Sequence, residues 1–210
     1  MLLIGDIHAL FWDYKRILER SGTKESLQLG DYGLGFPGSM DGIDLSDVEG
    51  THQFLRGNHD NPAICRKSPY YIGDFGIHEG SFIDGRYDKL FYISGSWSID
   101  QAWRTPGISW WPEEELSYDE LDQAVNLYLK EKPEIVCSHE CPEEISQIFY
   151  PGTAHPTRTG QALSSMFQHH TPSYWFFGHH HKSWRKNVMG CQFVCLNELE
   201  TIDISKRIVM

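Results

Sequence analysis

Met1-Leu2-Leu3-Ile4-Gly5-Asp6-Ile7-His8 opens the chain, and the reading of these eight residues decides the rest. Four apolar residues followed at once by glycine and a carboxylate predict a buried strand that ends at a functional edge. On an extended strand residues i and i+2 face the same way, so Asp6 and His8 are expected to aim an oxygen and an imidazole nitrogen at one point. That pair is half of a metal site.

The same pattern recurs at the end of each short apolar run. Ser26 to Gly30 leads into Asp31, and His52 to Gly57 leads into Asn58-His59-Asp60. Further on, Glu134 to Ser138 delivers His139, and Tyr174 to Gly178 delivers His179-His180-His181. Together these ends gather carboxylates, an amide and several imidazoles, the donors that divalent transition metals prefer.

Composition narrows the alternatives. A chain of 210 residues with 40% hydrophobic and 13% aromatic content is not disordered and fits one domain over 1–210. Its formal net charge of -11 argues against a nonspecific nucleic-acid surface, since phosphate backbones are bound through Lys and Arg. Five cysteines at 65, 137, 141, 191 and 195, with no signal-peptide pattern, predict reduced thiols and a cytoplasmic setting. No apolar run has the length of a membrane span.

Between the candidate ligands, Phe11, Tyr14, Ile17 and Leu18 predict a helix stopped at Ser21-Gly22. A Gly/Pro loop over 32–38 is placed to cover the site, and Asp41, Asp44 and Asp47 form an acidic loop that lacks the EF-hand spacing. Strands are expected at 78–83 and 89–94 around an Asp84-Gly85 turn. A capping box at Ser117 and Glu120 begins a helix to about Lys130. Helix over 159–170, a hairpin turn at 187–190 and strands to Val209 complete the expectation. Residues 95–116, with Trp97, Trp103, Trp110 and Trp111, carry no period and read as a long irregular insertion.

Asp6-x-His8, Gly30-Asp31, Gly57-Asn58-His59-Asp60, His139 and Gly178-His179-x-His181 stand in the order found in the calcineurin-like metallophosphoesterases, which this chain resembles. The resemblance implies an α/β fold, a four-layer αββα sandwich of two mixed sheets flanked by helices, with the site at the carboxyl ends of the central strands. By position it implies that Asp6, His8 and His181 hold one metal ion, that Asn58, His139 and His179 hold another, and that Asp31 bridges them. Two divalent transition-metal ions are the implied cofactors, manganese first, with iron, zinc, nickel or cobalt as alternatives. Their charge outweighs that of Asp6 and Asp31, which suits a phosphate and a bridging hydroxide that attacks phosphorus.

His59 adjoins a ligand without being needed as one, so it is the candidate general acid. Asp60 is a candidate to orient it and equally a candidate structural residue. Many phosphatases of this kind carry Asp-Arg-Gly after the bridging aspartate, whereas Asp31 is followed here by Tyr32-Gly33-Leu34-Gly35. A phosphate-binding arginine must come from elsewhere, and Arg104 among the tryptophans is the candidate. The stretch 98–114 also looks like a segment of phage and bacterial metallophosphoesterases of unassigned substrate; packing of Trp103, Trp110 and Trp111 onto the sandwich is the plainer alternative. His180 is expected to be packed or solvated, and His155 to be loop surface.

The expected activity is hydrolysis of a small phosphomonoester or phosphodiester, with a nucleotide-like group as one option. Two alternatives remain: a non-catalytic scaffold of the same fold that binds a protein, and a nuclease or nucleotide phosphatase acting on nucleic-acid ends.

Overall fold

A computed structural model describes residues 1–39, 42–152 and 155–206. Asp41 of the acidic loop and residues 207–209 of the expected last strand lie outside them. Two mixed sheets form the centre. The first has the order β10-β1-β2-β3, with β1 Leu2–Ile4, β2 Glu25–Gln28, β3 Thr51–Phe54 and β10 Thr201–Asp203. The second has the order β4-β5-β6-β7-β9-β8, with β4 Phe75–Phe82, β5 Tyr87–Ile93, β6 Ile135–Ser138, β7 Tyr174–Phe177, β8 Trp184–Val188 and β9 Cys191–Cys195. β1, β2 and β3 run parallel, as do β5, β6, β7 and β9.

Alternation along the central strands produces the layers. Leu3 and Leu27 meet Leu90, Ile135, Cys137, Phe176 and Val194 between the sheets. Their neighbours Leu2 and Ile4 face outward onto Phe11, Tyr14 and Leu18 of α1, Phe11–Ser21. On the other side Val136, Trp175, Phe177 and Phe193 pack on Leu121, Ala124 and Tyr128 of α3, Tyr118–Glu131, and on Leu163, Met166 and Phe167 of α5, Arg158–His169. A strand with apolar residues on both faces is buried on both, so two strand layers between two helical layers follow from the sequence. This is the expected αββα arrangement.

Local signals hold closely. Gly22 ends α1 in the left-handed region at φ 60°, and Ser117 with Glu120 closes the capping box of α3. Two short helices were not expected: α2, Pro62–Cys65, and α4, Glu143–Phe149. All five cysteines are free and buried. Among the described residues no helix is long and apolar enough to cross a membrane.

Candidate metal centre

The predicted ligands converge at the carboxyl ends of the parallel strands, by a route that differs from the alternation argument. Strand pairing ends at Ile4, Gln28, Phe54, Ser138 and Phe177, before any ligand. Ligands sit on the turns beyond, and four of them have left-handed backbones: His8 (φ 43°), Asp31 (52°), His179 (64°) and His181 (49°). Each such conformation costs about 1–3 kcal/mol unless its surroundings enforce it. Enforcement comes from the site itself. The amides of Ile7 and His8 donate to the Asp31 carbonyl, His59 N donates to Asp31 Oδ1, and His179 N donates to the Asp6 carboxylate.

Two ligand groups result. In one, Asp6, His8, Asp31 and His181 offer atoms within 4.8 Å of one another, and in the other Asp31, His139 and His179 do the same. His8 Nε2 and His181 Nε2 are 2.9 Å apart, and His181 Nε2 lies 3.2 Å from Asp6 Oδ2. Asn58 Oδ1 is 3.4 Å from His139 Nε2. Asp31 divides its two oxygens between the groups: Oδ2 is 3.9 Å from His8 Nε2, and Oδ1 is 3.3 Å from His139 Nε2. His139 Nδ1 donates to the Leu29 carbonyl at 2.8 Å, which leaves Nε2 as the nitrogen free to bind an ion.

The glycines that precede the ligands are required by space. A Cβ on Gly178 would lie 2.1 Å from Asp6 Oδ1, and one on Gly57 would lie 2.2 Å from Asp31 Oδ1 and 2.4 Å from His139 Nε2. Backbone therefore passes directly against the ligand atoms, and the imidazole, carboxylate and amide donors left facing one volume suit divalent transition cations.

Electrostatics favour the same occupant. Burial works against the Asp31 charge, yet His139, His59 and His8 hold its carboxyl well below the usual range. Burial likewise disfavours a charged His139, but Asp31 and Asp6 overcome it and raise the imidazole to about 10. His179 is the converse, lowered by burial to about 4 against the pull of Glu140.

Beside this cluster a cleft of about 540 Å³ is bounded by Asp31, Asn58, His59 and Arg104 on one side, with Trp97, Ile99, Tyr150 and His155 among its other lining residues. Arg104 Nη1 donates to the Asn58 carbonyl and Nη2 to His59 Nε2, both at 2.8 Å, while Nε lies 2.7 Å from Asp100 Oδ1. His59 is lowered by burial and by Arg104, with Asp31 opposing. Phe36, from the loop after Asp31, packs on His59 at 4.8 Å and under Arg104, so that loop does border the site.

The remaining candidates sort clearly. Both oxygens of Asp60 accept from backbone amides, those of Tyr32, Gly33, Leu34 and Gly57, so this residue shapes the loops. Packing of all three tryptophans onto the sandwich is corrected in part: Trp111 is buried, but Trp103 is 90% exposed. His180 is packed, stacked on Phe149 at 4.9 Å. His155 is exposed yet lines the cleft beside Trp97, 5.7 Å between ring centroids. Two carboxylates escaped the sequence reading. Glu198 Oε1 lies 3.6 Å from both His8 Nε2 and His181 Nδ1, and Glu140 Oε2 lies 3.4 Å from His179 Nε2. Glu140 directly follows a candidate ligand, the one signal that could have marked it; Glu198 carries none.

A family model described as calcineurin-like phosphoesterase matches residues 1–183. No curated protein sequence matches the chain. Among solved structures, similar folds occur in a candidate 5′-nucleotidase of Staphylococcus aureus (14% identity, TM-score 0.53), where 94% of this chain covers 48% of that one. GAP50, the anchor in the inner membrane complex of Plasmodium, is also similar (9%, 0.52, 94% and 71%). So is the protein TT1561 of Thermus thermophilus (13%, 0.50, 94% and 89%). At these identities the likeness is one of fold, and the chain spans about half the length of the nucleotidase.

Proposed function

The chain belongs to the calcineurin-like phosphoesterases, and from that premise we propose a dinuclear metal-dependent hydrolase of small phosphate esters. The observation that carries this reading is the division of Asp31, one oxygen turned to each ligand group. Asp6, His8 and His181 would hold one ion, Asn58, His139 and His179 the other, and Asp31 both, with manganese the first candidate. When bound, the ion pair supplies Lewis acidity to phosphoryl oxygens and brings the pKa of the attacking water toward neutrality.

Protein groups supply orientation and the proton. Arg104, kept in place by Asp100, lies at the cleft where a phosphoryl oxygen would enter. In the arrangement described it donates to His59 Nε2, and burial together with Arg104 lowers the pKa of that ring. A phosphate arriving in the cleft draws Arg104 Nη2 away from the imidazole, frees Nε2 and adds negative charge that favours its protonation. His59 then protonates the leaving oxygen. Trp97, Tyr150 and His155 offer ring surface for a planar leaving group, so an aryl ester or a nucleotide is the favoured substrate class.

Hydrolysis of p-nitrophenyl phosphate and of bis-p-nitrophenyl phosphate, with added manganese and with chelator, tests the reading and separates monoester from diester preference. Turnover that needs metal supports it. Absence of turnover on both with two ions bound would favour a non-catalytic scaffold.

A further inference from the structure

We propose that Glu140 is a positioning residue that fixes the tautomer of His179, so that Nε2 carries the proton and Nδ1 faces the ion. This rests on the reading of His179 as a metal ligand. Glu140 is 6% exposed, and its carboxylate is surrounded by donors. Oε1 accepts from Cys141 N at 2.8 Å and lies 3.2 Å from His180 Nε2. Oε2 accepts from Ser96 Oγ at 3.1 Å and lies 3.4 Å from His179 Nε2.

A carboxylate has about four lone-pair positions; Cys141 N and Ser96 Oγ bond to this one, and the Nε2 atoms of His180 and His179 lie within reach, with Ser96 Oγ also 3.2 Å from His179 Nε2. The position of Glu140 is held independently. His180 is sandwiched among Phe149, Tyr150 and Phe177, and the Glu140 carbonyl accepts from Ser138 Oγ, itself bonded to Trp175 Nε1. A carboxylate that receives one ring N–H leaves the other nitrogen as donor to metal, and loss of such a partner typically weakens metal binding about 10–100-fold.

Metal titration by equilibrium dialysis against manganese tests this with E140Q, S96A and H179A, each checked for folding by circular dichroism. E140Q should weaken the second ion about 10–100-fold and leave the first unchanged, with S96A showing a smaller loss in the same direction. Unchanged binding in both, while H179A loses one ion, overturns the role of Glu140 and keeps His179 as ligand. Retention of both ions by H179A instead overturns the ligand reading. Long-range proton–nitrogen spectra of zinc-loaded protein give a second readout: His179 protonated at Nε2 is expected, and a bare Nε2 rejects the proposal even if E140Q fails to fold.

Discussion

The two halves of the centre differ in how they meet water. His139 is fully buried, Asn58 is 4% exposed, and His179 is walled by Glu140 and Ser96. Opposite them, His8 and His181 have side-chain exposures of 24% and 44%, and their outer neighbour Glu198 is half exposed. One half is built into the junction between the sheets, and the other forms its rim. The ligand sets differ by one carboxylate, Asp6 against Asn58, but the imidazoles His8 and His181 are the more exposed, so the ion on their side should exchange the faster.

Removing what the halves share has the largest expected effect. Asp31→Asn should lower kcat/KM by more than about 10³, since even one electrostatic donor at a reacting centre is worth about 10²–10³. If activity stays within tenfold of wild type, the shared-ligand reading is wrong. His59→Asn should leave two ions bound and cut turnover about 10²–10⁴-fold on alkyl esters. Much less should be lost on p-nitrophenyl esters, whose leaving group needs no proton. Arg104→Ala should raise KM for phosphate esters by about 10–100-fold, in line with about 1.5–3 kcal/mol for a charged hydrogen bond. Limiting chelator followed by metal analysis should bring occupancy from two ions to one before any protein is left with none, with activity falling in the first step. Simultaneous loss of both ions would remove the distinction between rim and interior.

The smallest effect concerns what braces the buried half. Arg56, just before Gly57-Asn58, is fully buried and bonds Asp74 Oδ1 at 2.9 Å and the Glu114 carbonyl at 2.8 Å. Burial opposes ionisation of Asp74, but Arg56, Arg66 and Tyr71 hold its carboxyl below the ordinary value. A depressed folded pKa gives stability that is complete above the unfolded value of about 3.9 and is lost as pH falls through the folded one. Urea midpoints should therefore fall in acid below about pH 4, and Asp74→Asn should lessen that dependence. An unchanged acid profile would show that the brace contributes nothing.

Much of this was legible in the sequence because apolar runs mark buried strands and a following glycine with a ligand-type residue marks their ends. Asp6, Asp31, Asn58, His139, His179 and His181 come together in the structure on that logic. What the sequence misled about was the cause. Alternation on a strand suggested why His8 follows Asp6 and why His180 faces away, but these residues lie past the strand ends, on turns in which His8, His179 and His181 have positive φ. Turn geometry depends on hydrogen bonds between distant segments, such as those that Ile7 N donates to the Asp31 carbonyl and His179 N to the Asp6 carboxylate, and no local pattern encodes it. Glu198 and Ser96 were missed for the same reason, as lone residues brought in by folding. α4 was missed because it is short and starts after Pro142 without a side-chain cap.

Loops of the first sheet supply Asp6, His8, Asp31 and Asn58, and loops of the second supply His139, His179 and His181. Cations seated there would act as rivets across the seam, and binding would be linked to cohesion of the whole molecule. Heat tolerance should then track the concentration of free metal, with the apoprotein melting at the lower temperature and opening first to protease along the junction of its two sheets.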